Sequence, residues 1–172
     1  MTTDPPGPRL FTIGHSNQTA ARFVELLAHH GIETLVDVRS APYSRYCPHF
    51  NKPALEASIT AAGLRYVYLG DKLGGMPKDE SLYDDTGSPD YDRIAAAPFF
   101  IDGIRQLIAL LPDARCAMMC AEENPQHCHR HRLVEPALVA SGIEIRHIRG
   151  DGRIETSDEL DSKEDKSQLR LF

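Results

Sequence analysis

The stretch RLFTIGHSNQTAARFVELLAHHGIETLVDVR, residues 9–39, decides the fold. It opens with the apolar run RLFTIG, passes through a polar turn and continues with apolar residues at helical spacing until Gly31. The run TLVDVR that follows is apolar with one embedded acid, which is typical of a strand buried on both faces of a parallel sheet. The stretch therefore predicts a strand, a turn, a helix and a second strand.

The rest of the chain repeats this alternation. Further strands are predicted at LRYVYLG, RCAMMCAE and IEIRHI, and further helices at PALEASITAAG, FFIDGIRQLIALLP and HRLVEPALVASG. A long Gly-, Pro- and Asp-rich loop follows the third strand, with one helical turn near YDRIAAA. Strands joined by helices predict the α/β class, here a single three-layer α/β/α domain with a mainly parallel sheet of about five strands.

The chain length sets the domain organisation. A chain of 172 residues with 41% hydrophobic residues fits one domain that buries its own core, and we assign it to residues 9–149. In residues 150–172 acidic residues outnumber basic ones and apolar anchors are few. This composition predicts a flexible, solvated acidic C-terminal tail.

Charge and composition limit the partners and the compartment. A net charge of −6 argues against bulk nucleic-acid binding, which usually needs a basic face. The N-terminus has no basic start followed by an apolar run, and no stretch approaches membrane-spanning length, so we expect a cytoplasmic protein without a membrane partner. In that compartment the four cysteines are expected to be thiols or ligands rather than disulfides.

Polar residues follow the ends of four predicted strands. The first strand is followed by His15, Ser16 and Asn17, and the later ones by the segments 39–50, 70–75 and 122–132. Ligands of parallel α/β sheets bind beyond the carboxyl ends of the strands. We therefore expect these four loops to meet at one rim.

Four of these blocks together resemble a known family. FTIGHSN, LVDVRSAPYSR, YVYLGDKLGG and MMCAEENPQHCHR are similar, in order and spacing, to the signature blocks of the domain of unknown function 488 family. The resemblance runs from about Phe11 to Ile148, and the acidic tail lies outside it. It implies a small α/β domain that carries its motifs on loops, with an unassigned biochemical activity.

The cysteines of the last block suggest nucleophilic chemistry. Cys120 is predicted to end a strand, and Cys128, His129 and Arg130 lie at or just before a helix N-terminus. Unpaired backbone N–H groups and the helix dipole there lower the pKa of a thiol, so either cysteine is a candidate nucleophile. Both could also be packed as small hydrophobic side chains. The spacing departs from that of cysteine phosphatases and rhodanese-type enzymes, whose mechanism is not carried over.

Metal binding is a second interpretation of the same residues. Cys120, Cys128 and His129, with His15 or His49 from other loops, could form a tetrahedral site. No two cysteines have the C-x-x-C spacing that makes a zinc prediction strong. The residues therefore identify no metal and no cofactor, and they indicate no oligomeric state.

Arginines on the same loops suggest a pocket for a small anion. Guanidinium groups suit phosphate or carboxylate, and glycines let a backbone approach a ligand closely. Arg39 could instead pair with Asp37 or Glu122 as a structural ion pair. The candidate substrate-binding residues are His15, Ser16, Asn17, Arg39, Ser44, Arg45, Gly74, Gly75, His129 and Arg130.

Two acids complete the candidate catalytic set. Asp37 lies inside an apolar strand run, where a carboxylate needs a partner, and Glu122 follows the fourth strand. With Cys120 and Cys128 they predict an enzyme acting on a small phosphorylated or nucleotide-like substrate at the strand ends. The alternative is a noncatalytic metal- or anion-binding sensor or interaction protein that uses the same rim.

Overall fold

The structure is a computed structural model and describes residues 7–169. Within these residues one sheet contains the strands β1 (Arg9–Gly14), β2 (Thr34–Asp37), β3 (Arg65–Tyr68), β4 (Cys116–Cys120), β5 (Glu144–Ile148) and β6 (Ile154–Thr156). Their order across the sheet is β3-β2-β4-β1-β5-β6, and all neighbouring pairs are parallel except β5 and β6. The α/β prediction is confirmed, with six strands where about five were expected.

Seven helices surround this sheet in the described part of the chain. They are α1 (Ala20–His29), α2 (Lys52–Ala61), α3 (Gly70–Leu73), α4 (Tyr91–Ala96), α5 (Pro98–Leu110), α6 (Glu135–Ala140) and α7 (Ser157–Leu169). Helix α1 begins where the Thr19 hydroxyl accepts a hydrogen bond from the Arg22 backbone N–H. Among residues 7–169 no helix combines the length and the apolar character needed to cross a membrane.

Alternating side chains of the strands pack into two separate hydrophobic cores, one on each face of the sheet. In β4, Ala117 and Met119 pack with α1 and α2, whereas Cys116 and Met118 pack with α3, α4, α5 and α6 on the opposite face. Successive strand residues point to opposite faces, so a fully buried strand is apolar throughout. The sheet is therefore the middle of three layers.

The crossovers bring four loops to one edge of the sheet. Strands β1, β2, β3 and β4 are parallel, so the segments that follow them all leave from the same edge. The chain reverses its direction across the sheet after β3, when β4 returns to lie between β2 and β1. Such a reversal opens a crevice at the carboxyl ends of the strands.

A turn of π-helix connects the fourth loop to α6. It spans Arg130–Val134, and the Glu135 backbone N–H reaches back five residues to the Arg130 carbonyl. Pro136 follows and has no N–H to continue a regular α-helical ladder. This turn places Arg130 and His131 on inward-facing positions.

Regular structure continues past residue 149, where the sequence predicts a solvated tail. Strand β6 pairs antiparallel with β5, the Leu160 side chain of α7 is buried, and Glu155 forms ion pairs with Arg149 and Lys163. A three-residue strand has too little hydrophobic alternation to be recognised, and charges that pair with one another resemble solvated ones in a sequence. Residues 170–172 of the predicted tail lie outside the described residues.

Candidate functional site

Cys120 stands at the carboxyl end of β4 beside the loop that follows β1. The backbone N–H groups of His15 and Ser16 donate to the carbonyls of Cys120 and Ala121 at 3.0 and 2.8 Å. Gly14 permits this close pairing, because a Cβ there would lie 1.8 Å from the Glu122 carbonyl oxygen. The two loops are therefore joined through their backbones beyond the end of the sheet.

The Cys120 sulfur lies in an environment that favours a thiolate. Hydrogen bonding from the Cys128 thiol, the Arg130 charge and the backbone N–H groups of Ala121 and Glu122 lower the pKa of Cys120 despite its burial. The pKa of Cys128 is raised, first because its thiol serves Cys120 and then because it is buried. Cys120 therefore has the lower pKa of the two thiols, while Cys128 Sγ accepts a hydrogen bond from the Arg130 backbone N–H at 3.5 Å.

His129 completes this group of side chains. Its Nε2 lies 3.0 Å from the Val38 carbonyl oxygen, so Nε2 carries the proton and the Nδ1 lone pair faces the two sulfurs. Nδ1 is 3.6 Å from Cys120 Sγ and 3.9 Å from Cys128 Sγ. The three atoms lie within 4.8 Å of one another and could hold a metal ion. A tetrahedral zinc site places its N and S ligands roughly 3.5 Å apart.

Asp37 binds Arg39 inside the same edge of the sheet. The Nε and Nη2 atoms of Arg39 donate to the two oxygens of the Asp37 carboxylate at 2.9 and 2.8 Å, and the Tyr66 hydroxyl adds a bond of 2.6 Å. The remaining Nη1 lies 3.4 Å from His15 Nε2. Asp37 therefore orients Arg39 instead of facing the cleft. This ion pair is the structural alternative that the sequence suggested for Arg39.

Arg130 points into the protein rather than into solvent. Its side chain is fully buried, and its nitrogens donate to Thr12 Oγ1 at 3.2 Å, to the Glu123 carbonyl at 2.9 Å and to the Glu122 carbonyl. All of these acceptors belong to β1 or to the loop of residues 121–129 that follows β4 and contains Cys128, here called the cysteine loop. The guanidinium stabilises the loop instead of offering its donors to a ligand.

A cleft of about 660 Å³ opens above the two thiols. This volume is within the range of small-molecule sites. The charged side chains at the cleft are Arg39, Lys78 and Glu122, and Tyr91 supplies an aromatic ring. The other residues that line it are Ser40, Ala41, Gly75, Met76, Pro89, Cys120, Ala121, His127, Cys128 and His129.

The comparisons with known proteins bear on the motifs that form this cleft. A family model described as “Domain of unknown function DUF488” matches residues 19–137. The chain belongs to this DUF488 family. The match contains the cysteine loop, the 39–50 loop and the long loop after β3, whereas the FTIGHSN block precedes it. Comparisons with curated proteins and with solved structures gave no match.

The DUF488 cleft gathers only part of the set of residues predicted from the sequence. Of the candidate catalytic and binding residues, the cleft is lined by Arg39, Gly75, Cys120, Glu122, Cys128 and His129. The others are not among its lining residues; they are His15, Ser16, Asn17, Asp37, Ser44, Arg45, Gly74 and Arg130. The position of these residues at the carboxyl ends of parallel strands thus brings the cysteines and Arg39 together. It does not determine whether each side chain points into the cleft or into the protein.

Several of the remaining candidates support the loops instead. The His15 ring is buried and stacks on Phe50 at 4.4 Å, while Ser16 takes a left-handed φ of 48° and Asn17 is exposed. The helix cap is Thr19, so neither Ser16 nor Asn17 fills that role. These residues shape the β1 loop.

Candidates in the 39–50 loop and at the glycine pair make contacts within the protein. Ser44 bonds within its own loop, and Arg45 is exposed against the Tyr46 ring. A Cβ at Gly74 would lie 2.2 Å from Ser40 Oγ, and one at Gly75 would lie 2.7 Å from His129 Cβ. The two glycines therefore allow the α3 loop to pack closely on its neighbours, and Gly75 also lines the cleft.

Lys78 and Tyr91 are cleft residues that the sequence analysis did not single out. Both belong to the long loop region after β3, whose length alone indicated a functional segment. The loop turns back over the cysteines, and this long-range contact leaves no local signal in the sequence. Only the charge of Lys78 and the aromatic ring of Tyr91 could have suggested them.

Proposed function

We propose that this DUF488 protein is an enzyme that uses Cys120 as a nucleophile on a small phosphorylated or nucleotide-like substrate bound in the cleft. One observation carries the proposal: the Cys120 sulfur lies at a cleft wall, 3.6 Å from His129 Nδ1. Its pKa is lowered by the neighbouring Cys128 thiol, the Arg130 charge and nearby backbone N–H groups. Such donors stabilise a thiolate, which is the nucleophilic form of cysteine. A cysteine that only fills space in a hydrophobic core remains a neutral thiol and does not require such donors.

The cleft suits an anionic substrate. Arg39 and Lys78 bring positive charge to it. Asp37 does not bind the Nη1 atom of Arg39, which lies 3.4 Å from His15 Nε2. The Asp37 carboxylate holds the guanidinium plane in one orientation, so little side-chain entropy is lost when an anion binds. Tyr91 offers a ring on which a base could stack. These features support a phosphorylated ligand of nucleotide size.

The proposed reaction proceeds through a covalent intermediate. The Cys120 sulfur forms a bond to phosphorus as the bond to the leaving oxygen breaks, and a water molecule in the cleft protonates that oxygen. Water then gives a proton to the Glu122 carboxylate and displaces the sulfur, which releases phosphate and restores the thiolate. Glu122 is assigned this role because it lines the cleft, whereas Asp37 is engaged by Arg39 and Tyr66.

We place this activity in the cytoplasm, where thiols stay reduced. The four cysteines Cys47, Cys116, Cys120 and Cys128 form no disulfide with one another. The expected partner is a small anionic molecule, since a net charge of −6 disfavours bulk binding to nucleic acid.

Alkylation of the reduced, chelator-treated protein tests the nucleophile. At neutral pH iodoacetamide should modify Cys120 before the other cysteines, and phosphate or a nucleoside monophosphate should slow that modification. Peptide mass spectrometry locates the modified residue. Cys116 is a matched control, because it lies on the same strand but is buried and its pKa is raised to about 11. Equal rates at Cys116 and Cys120 would remove Cys120 as the nucleophile.

Activity assays separate a nucleophile from a structural thiol. A panel of phosphate monoesters and nucleotides should reveal hydrolysis that Cys120→Ala abolishes and Cys116→Ala retains. A phosphorylated Cys120 trapped by rapid acid quench would identify the intermediate. Turnover that survives in Cys120→Ala contradicts the proposal, provided that its thermal melt matches that of Cys116→Ala.

A noncatalytic metal sensor is the second candidate, and the orientation of His129 favours it. Metal-bound histidines usually donate their other ring N–H to a carbonyl or carboxylate, as His129 does to Val38. The distances from Nδ1 to the two sulfurs also match a tetrahedral site. Stoichiometric zinc that blocks alkylation of Cys120 and Cys128 would favour this function. Rapid alkylation of Cys120 in the presence of zinc would exclude it.

A further inference from the structure

A second cluster of metal-binding side chains lies away from the cleft, between the π-helical turn, α6 and β5. His131, Glu135 and His147 each offer one ligand atom, and these atoms lie within 4.8 Å of one another. The side chain of His147 is completely buried, that of Glu135 is 5% exposed and that of His131 is 14% exposed. Charged and titratable groups this deep need partners.

We propose that His131, Glu135 and His147 form a binding site for a divalent transition metal, with zinc as the best match. Two imidazole nitrogens and one carboxylate oxygen are a known zinc ligand set. Glu135 Oε2 lies 2.7 Å from His131 Nδ1 and 3.2 Å from His147 Nε2. Ligand atoms of a tetrahedral zinc are roughly 3.3 Å apart. The distance from Glu135 to His147 already fits this value, His131 must move away from Glu135, and water can take the fourth position.

The Nε2 atom of His147 points to a missing ligand. It is buried and forms no hydrogen bond among the described residues, although Glu135 Oε2 lies 3.2 Å away. Buried polar atoms are nearly always satisfied, and an orphaned one calls for a specific explanation. A metal ion between His147 and Glu135 would satisfy this nitrogen.

The opposite side of each ligand already has a partner. The Nδ1 atom of His147 lies 2.7 Å from Thr12 Oγ1, and the Ser157 hydroxyl donates to the second oxygen of Glu135. His131 Nε2 lies 3.8 Å from Asp161 Oδ1. Such outer partners fix the orientation of ligands in metal sites. A simple His131–Glu135 ion pair explains neither the Thr12 contact nor the unsatisfied nitrogen.

The site would fasten α7 to the rest of the domain. Ser157 and Asp161 both belong to α7, whereas the three ligands come from the π-helical turn, α6 and β5. Thr12 also accepts a hydrogen bond from Arg130, which supports the cysteine loop. This role is structural and goes beyond the proposed catalysis, because it does not use the cleft.

Cobalt and zinc titrations of the metal-stripped full chain test the site. Cobalt bound by thiolates gives an intense near-ultraviolet sulfur-to-metal charge-transfer band, which a His and Glu site lacks. We expect a Cys120→Ala/Cys128→Ala variant to bind one equivalent of cobalt without that band and to melt at a higher temperature when zinc is added. If this variant does not fold, the wild-type protein with both thiols alkylated replaces it.

Single substitutions then assign the ligands. In that background His147→Gln should weaken zinc binding by roughly 100-fold or more, and Ser157→Ala by roughly tenfold. His29→Gln, at an exposed position on α1, should leave the affinity unchanged. Absence of a cobalt complex in the Cys120→Ala/Cys128→Ala protein, or equal affinities of the His147 and His29 variants, would overturn the proposal. Neither result affects the alkylation test of Cys120.

Discussion

The guanidinium of Arg130 donates a hydrogen bond to the hydroxyl of Thr12 across 3.2 Å in the protein interior. Thr12 lies in the middle of β1, and the same guanidinium binds the carbonyls of Glu122 and Glu123. One buried side chain therefore connects the loop that follows Cys120 to the centre of the sheet. The three acceptors each meet a different nitrogen of the guanidinium, whereas lysine carries all of its donors on one nitrogen.

Replacement of Arg130 by lysine should destabilise the fold. A single ammonium nitrogen does not reach all three acceptors, so Arg130→Lys leaves buried carbonyls without donors and should cost about 3 kcal/mol in the free energy of unfolding. Arg153→Lys is the control, because Arg153 is 73% exposed. Urea unfolding monitored by circular dichroism measures both variants. Equal midpoints for the two would show that the Arg130 hydrogen bonds carry no net stability.

Asp37 orients Arg39, and removal of the Asp37 charge should lower the free energy of unfolding. Asp37→Asn leaves a nearly buried guanidinium without its counter-charge, which should cost about 3–5 kcal/mol. Tyr66→Phe removes a single hydrogen bond to the same carboxylate and should cost about 1 kcal/mol. Thermal or urea unfolding gives the two values. A smaller loss for Asp37→Asn than for Tyr66→Phe contradicts the assigned ion pair.

The order of strands and helices could be predicted because burial leaves a local periodic signal. Helix α1 shows its apolar stripe at Phe23, Leu26 and Leu27, and β4 is apolar on both faces. Strand β6 has no such signal, since its place depends on pairing with β5. A strand or helix that forms through contacts with residues distant in the sequence cannot be predicted from the local hydrophobic pattern.

The candidate site could be predicted only in part for a related reason. The carboxyl ends of parallel strands meet by geometry, so Arg39 and Cys120 could be expected at one edge before any side chain was placed. The direction of the Arg130 side chain depends on the π-helical turn and on acceptors from two other segments. A cation that looks suited to a ligand can therefore serve the fold instead.

Gly14 should not tolerate even a methyl group. A Cβ at this position would lie 1.8 Å from the Glu122 carbonyl oxygen, and that backbone is held by Arg130. Gly14→Ala should therefore cost at least about 2 kcal/mol in the free energy of unfolding. Gly7→Ala is the control, because a Cβ there meets no atom within 4 Å. Denaturant unfolding compares them, and a neutral Gly14→Ala would mean that the loops separate at little cost.

The buried His15 should make stability depend on pH in the mildly acidic range. Burial lowers the pKa of His15 from 6.5 to about 4, and the Arg39 charge adds to this effect. The folded protein therefore resists protonation of His15, whereas the unfolded chain binds a proton below its pKa of about 6.5. Because the unfolded state binds more protons between these two values, it is stabilised as the pH falls.

His15 should thus contribute a loss of about 2 kcal/mol in unfolding free energy between about pH 7 and about pH 5, with a further loss until the pH reaches the folded-state pKa. His15→Gln removes this contribution, so its unfolding free energy should fall less steeply over that interval than that of the wild type. His29→Gln changes an exposed histidine and should follow the wild-type slope. Urea titrations at a series of pH values measure the slopes. If His15→Gln retains the wild-type slope, the imidazole is protonated within the folded protein and does not stay neutral between Phe50 and Arg39.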